Sequence, residues 1–147
     1  MSYILKTNHL TKVFEGKEVV SSVNMNVQKG EIYGFLGPNG AGKTTIIKCI
    51  VGIHGVDEGE VLIDGVSIQQ EPMKCKQQIA YIPDNPDLYE YLTGIQYLNF
   101  IADIFEVSAI DREARIQKYA DAFEITASLG DLISSYSHGM KQKLAII

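Results

Sequence analysis

Residues 37–44 read Gly-Pro-Asn-Gly-Ala-Gly-Lys-Thr, which completes the spacing G-x-x-x-x-G-K-[ST]. Those residue types at that spacing bind phosphate. Glycines let the backbone curl so that its N–H groups converge on an anion. Lys43 reaches the terminal phosphates as a point charge, and the hydroxyl of Thr44 is a ligand for magnesium. A helix beginning at the loop adds the positive end of its dipole at the same place.

The elements around the loop must position it. Glu31-Ile32-Tyr33-Gly34-Phe35-Leu36 precedes it, a short apolar run that predicts a strand buried on both faces. Thr45-Ile46-Ile47-Lys48-Cys49-Ile50-Val51 follows, closed by Gly52, and predicts a short apolar helix with glycine past its end. Strand, loop and helix in that order are the context a phosphate loop requires.

Tyr3 to Phe14 alternates loosely and ends in the turn Glu15-Gly16-Lys17. From Glu18 to Val27, Val23, Met25 and Val27 share one face and Ser22, Asn24 and Asn26 the other, a half-buried strand. Lys29-Gly30 turns the chain. Residues 55–59 read as a turn, Glu60 to Ile63 as a strand, and Asp64-Gly65 as a hairpin signal. Gln77 to Ile82 predicts another buried strand, stopped by Pro83. Then the period changes. Thr93 and Gln96 have capping-box spacing, and Leu98, Ile101, Ala102 and Phe105 follow at helical intervals. Ser108 to Asp111 opens a second helix with Ile116, Tyr119, Ala120 and Phe123 on one face. Ser137 is an N-cap for a third, with Met140, Leu144 and Ile147 on one side.

Composition narrows the function class. A chain of 147 residues with 46% hydrophobic and 21% charged residues is an ordinary soluble globular composition. A formal net charge of −5 speaks against nucleic-acid binding driven by bulk charge, but the phosphate loop supplies its own local field. Cys49 and Cys75 have no C-x-x-C spacing, and Cys49 reads as a buried small hydrophobe. His9, His54 and His138 are scattered without metal-ligand spacing. The first residues lack the apolar stretch of a signal peptide, and no apolar run approaches the roughly 18–20 residues of a spanning helix. A membrane connection is therefore expected through a partner.

Taken together, the parts and their order resemble the nucleotide-binding domain of ABC transporter ATPases over essentially the whole chain. Gly37, Pro38, Asn39, Gly40, Ala41, Gly42, Lys43, Thr44 and Thr45 match the family's Walker A sequence. Phe14 falls where the family places the aromatic that stacks on adenine; the alternative is a strand core residue. Tyr81-Ile82-Pro83-Asp84 falls at the Q-loop, with Asp84 in place of the usual glutamine. Aspartate is shorter and charged, so it either meets magnesium, through water, or shapes the turn with Asn85. Tyr136-Ser137-His138-Gly139-Met140 falls at the signature Leu-Ser-Gly-Gly-Gln and retains Ser137 and Gly139. The Ser-His-Gly-Met version and Pro86 to Gly94 look like bacterial ABC-2-type exporter ATPases.

The resemblance implies an α/β fold: a P-loop NTPase core with an N-terminal antiparallel β subdomain and a helical subdomain insertion. It implies an ATP-binding core with Walker A at 1–86, a helical subdomain at 87–135, and the signature with the start of its helix at 136–147. ATP and magnesium are the implied cofactors. Lys43, Asp84 and Ser137 are the implied catalytic residues, Thr44 and Asp84 the metal ligands, and Phe14, residues 37–45, Ser137 and Gly139 the nucleotide contacts. The implied partners are a second ABC ATPase domain and integral membrane permease subunits, with no nucleic acid, in the cytoplasm at the inner face of the membrane. A soluble ABC ATPase without a permease is the alternative. The Walker B aspartate, catalytic glutamate and switch histidine cannot be mapped onto these residues, and the last helical pattern has no end signal. The sequence is thus expected to be the N-terminal part of an ABC-type ATPase, and this stretch alone to bind nucleotide weakly or not at all and to hydrolyse no ATP.

Overall fold

The computed structural model describes residues 3–147 and divides into two compact units, Met1–Tyr81 and Ile82–Ile147. The first is built on a four-stranded antiparallel sheet in the order β2-β1-β3-β4. Strands β1 (Tyr3–Phe14) and β2 (Lys17–Gln28) form its long hairpin. Their turn is the predicted one: Glu15 and Gly16 both have positive φ, 50° and 78°, which matches the right-handed twist of the flanking strands. Strands β3 (Glu58–Ile63) and β4 (Val66–Ser67) are joined through Asp64 and Gly65, again with φ of 48° and 77°.

One face of this sheet is covered by α1 (Lys43–Ile50), whose Ile46, Cys49 and Ile50 point inward at helical spacing. They pack with Leu10, Val20, Met25, Val27, Val61 and Ile63. Fully burying one such side chain stabilises by about 1.5–3 kcal/mol. Cys49 is fully buried, as its apolar surroundings predict, and that burial pushes its thiol pKa up. Two buried threonines are satisfied locally: Thr7 Oγ1 donates to the Val23 carbonyl at 2.9 Å, and Thr11 Oγ1 accepts from the Ser22 N–H at 3.0 Å. A five-residue helix, α2 (Pro72–Lys76), closes the unit and buries Cys75.

Three sequence expectations are corrected here. Residues 31–36 form no strand, and Ile32 and Leu36 are 98% and 97% exposed. Residues 77–83 are likewise irregular. A strand buried on both faces needs paired neighbours on its edges, and no strand among the described residues pairs with either segment. Glu58 and Gly59 belong to β3 rather than to a turn. Gly59, at φ 86°, sits where β1 is irregular around His9, and a Cβ there would lie 2.3 Å from the Asn8 and His9 carbonyl oxygens.

The second unit is helical. Helix α3 (Gly94–Ile104) starts with the predicted capping box: the Gln96 N–H donates to Thr93 Oγ1 at 3.3 Å, and the Thr93 N–H donates to Gln96 Oε1 at 2.9 Å. Helix α4 (Ala109–Ala122) is capped by Ser108, whose Oγ accepts from the Asp111 N–H at 3.2 Å. Helix α5 (His138–Ile146) is capped by Ser137. Leu98, Ala120, Ile125, Ile133, Tyr136 and Leu144 form one core. Of the face predicted for α4, Ala120 is buried and Ile116 and Phe123 half-buried, whereas Tyr119 is exposed. No described helix is long and apolar enough to cross a membrane.

Candidate functional site

The loop at residues 37–45 is shaped by its glycines. Gly40 and Gly42 have φ of 83° and 85°, a region where an L side chain is strained. Gly42 is also the N-cap of α1, and a Cβ on it would meet the Val19 carbonyl oxygen at 2.9 Å. Its identity is thus required twice, by conformation and by the approach of β2. The Ala41 N–H donates to the Pro38 carbonyl at 3.3 Å, and the Ile46 N–H to the Gly42 carbonyl at 2.9 Å. The N–H groups of Gly40, Gly42, Lys43 and Thr44 have no acceptor among the described residues. Donors of this kind, at an exposed turn opening a helix, are suited to an anion.

Lys43 is folded back across the loop, with Nζ donating to the Gly37 carbonyl at 2.6 Å and the Pro38 carbonyl at 2.7 Å. An ammonium has three donors, so one is left for an anion while two hold the charge over the loop. Thr44 is exposed and Thr45 half-buried at the start of the helix. Among the described residues no three His, Cys, Asp or Glu side chains gather to hold a metal. A magnesium ion held mainly by nucleotide phosphates and the Thr44 hydroxyl fits this donor set.

Phe14 closes the β1–β2 hairpin and is 39% exposed. Its ring packs edge-to-face with His54, with centroids 5.3 Å apart and planes at 77°. Lys12 Nζ stands over the ring, 5.1 Å from its centroid. Lys12 pairs with Asp57 at 3.0 Å, and the same carboxylate accepts the Val13 N–H at 2.7 Å. That backbone hydrogen bond and the Lys12 ammonium hold the Asp57 carboxyl below its ordinary pKa. Lys12 is paired across the sheet with Val20, the neighbour of Val19 against which Gly42 rests. The aromatic corner and the phosphate loop thus share one stretch of β2.

Asp84, Ser137 and Gly139 lie in the second unit, and all three are exposed. The Met140 N–H donates to Ser137 Oγ at 3.3 Å, which leaves the hydroxyl hydrogen free to donate elsewhere. The Asp84 carbonyl accepts from Gln142 Nε2 of α5 at 3.1 Å, and Lys141 of the same helix is ion-paired with Glu90. Segment 84–90 is therefore fastened to the helix that Ser137 caps. A cleft of about 370 Å³ between α3 and α4, with Asn99, Arg112 and Glu113 in its lining, contains none of the expected site residues.

Sequence reasoning missed Lys12, His54, Asp57 and Gln142. In the sequence Asp57 reads only as part of a turn. Nothing local marks these residues, because the Val13–Asp57 hydrogen bond joins positions 44 apart and the Asp84–Gln142 bond positions 58 apart.

The comparisons with known proteins bear on both units, the sheet with its loop-bearing helix and the helical one. The sequence pattern of the ABC transporter family matches residues 20–147, and the chain belongs to that family. It is 36% identical over 146 residues to the uncharacterized ABC transporter ATP-binding protein YhcH of Bacillus subtilis (strain 168), covering 99% of this chain and 47% of that protein. It is 30% identical over 143 residues to the SkfA peptide export ATP-binding protein SkfE of the same organism, covering 97% of this chain and 59% of that protein. The solved structure of an ATP binding subunit of an ABC transporter superposes with a TM-score of 0.91 at 33% identity, covering 97% of this chain and 60% of that one. The fold is accordingly the mixed α/β one of ABC ATPase domains. The chain spans about half the length of the curated relatives it matches.

Proposed function

We propose that this chain is the ATP-binding part of an ABC transporter subunit that couples MgATP binding and hydrolysis to substrate movement by membrane permease subunits. The observation that carries the proposal is the loop at 37–45, with unpartnered N–H donors that include Gly40, Gly42, Lys43 and Thr44, and the Lys43 ammonium over an exposed helix start. In this reading the amides of Gly40, Gly42, Lys43 and Thr44 bind the phosphates, and Gly37, Pro38, Asn39 and Ala41 set the curve of the loop. Lys43 offers its third donor to the terminal phosphates, and Thr45 continues the helix behind them. Magnesium would supply positive charge against the phosphates, and the Thr44 hydroxyl would hold it. Phe14 stacks on adenine.

Ser137 and the Gly139 N–H, at the start of α5, serve a phosphate held by a second ABC ATPase domain. Residues 1–86 then act as ATP-binding core, 87–135 as helical subdomain and 136–147 as signature segment, at the cytoplasmic face of a membrane through permease partners. The peptide export named for one relative supports export as the direction.

Calorimetry with MgATP tests the reading. Binding weakened at least tenfold by Lys43→Ala is the expected result, since removal of a charge-assisted contact costs on the order of 1.5–3 kcal/mol. Equal affinity in the variant overturns it.

A further inference from the structure

We infer that Lys12 and Asp57 are positioning residues for the nucleobase: they hold the Phe14 ring in its stacking attitude, with His54 as the ring's side support. The inference rests on the reading of Phe14 as the base-stacking residue and adds how that ring is set.

Phe14 is at the last position of β1, beside a two-residue turn. A half-exposed ring there has two side-chain torsions and little packing to fix them. The structure supplies three constraints. Lys12 Nζ lies over one face of the ring at 5.1 Å, within cation–π range. His54 abuts it nearly perpendicular at 5.3 Å, and the His54 N–H is held on the Lys48 carbonyl of α1 at 3.0 Å. Asp57 fixes both the cation and the strand: Oδ2 takes Lys12 Nζ at 3.0 Å and the Val13 N–H at 2.7 Å, while the Asp57 N–H donates to the Thr11 carbonyl at 3.1 Å. Asp57 therefore ties residues 11, 12 and 13 together directly before the ring, residues 12 and 13 through its carboxylate and residue 11 through its backbone N–H. Lys12 is mostly buried, at 12% side-chain exposure, so its ammonium is not a freely solvated surface charge. With one face under the ammonium, the ring presents its other face, and a purine stacked there meets a ring already polarised by the cation.

The test compares two probes, MgATP and inorganic tripolyphosphate, which has phosphates but no base. Calorimetry on the full chain would measure both for wild type, Phe14→Ala, Lys12→Met, Lys12→Arg and the double variant. Phe14→Ala should weaken MgATP about tenfold or more, as loss of a base–aromatic stack does, and leave tripolyphosphate unchanged. Lys12→Met should weaken MgATP about fivefold, within the range of a partly desolvated cation–π contact, with tripolyphosphate unchanged. Lys12→Arg should recover the affinity, and Lys12→Met should have no further effect in the Phe14→Ala background. Unchanged tripolyphosphate binding also shows that the variants are folded. If Phe14→Ala weakens MgATP but Lys12→Met does not, the inference is overturned and the stacking reading survives. Equal weakening of both probes by Lys12→Met overturns it too, since the lysine then acts on the phosphates or the fold. No effect of Phe14→Ala removes the stacking reading itself.

Discussion

Gly42 carries two demands at once: φ of 85° and a carbonyl oxygen, that of Val19, 2.9 Å from where a Cβ would sit. Gly42→Ala should therefore lose about 1–2 kcal/mol from the left-handed conformation alone, with more from displacement of β2. A urea melt measures it, and a variant as stable as wild type would refute the account. Asp57 gives a pH prediction with a definite sign. Its folded pKa lies below the ordinary 3.8, through the Val13 N–H and the Lys12 ammonium. Its contribution is then fully present above that ordinary value and fades as pH falls through the lower folded one. Urea midpoints of wild type and Asp57→Asn should differ at neutral pH and converge in strong acid; a gap that persists at pH 2 contradicts this. The carboxylate is exposed, so salt should narrow the gap as well.

At the scale of elements, local signals were good guides where the stabilising contacts are themselves local. The Thr93–Gln96 capping box, the Ser108 and Ser137 caps and the Asp64-Gly65 turn were all legible, because each is closed within four residues. Thr93→Ala should cost about 1 kcal/mol. The runs at 31–36 and 77–83 read as strands by composition and formed none, because pairing is a property of neighbours and not of the run. Tyr136 shows the reverse case. In the sequence it stands within a signature motif, yet it is a core residue whose hydroxyl donates to the Ser128 carbonyl at 2.5 Å and would lie 2.3 Å from a Cβ on Gly94. Gly94→Ala should thus overpack the start of α3 and destabilise by about 1–3 kcal/mol; a neutral effect would show that Tyr136 yields freely.

At the scale of the whole molecule the described residues form two cores, one between sheet and α1, the other among α3, α4 and α5. Leu144, 1% exposed, is central to the second. Leu144→Ala should cost about 2–5 kcal/mol and speed amide exchange in α3 and α4, whose Leu98 and Ala120 share that core. Unchanged exchange there would place Leu144 outside the cooperative unit.

The sequence by itself determined the phosphate loop, its helix, the hairpin turns and the helix caps, since a few adjacent residues dictate those conformations. It also determined the family, because several such motifs fall in one order. The tertiary structure alone decided that Lys12, His54 and Asp57 surround Phe14, that Gln142 holds the Asp84 carbonyl, and that Tyr136 belongs to a core. Those contacts join residues tens of positions apart. No local pattern encodes them, and they exist only once the sheet and the helices have brought their partners within reach.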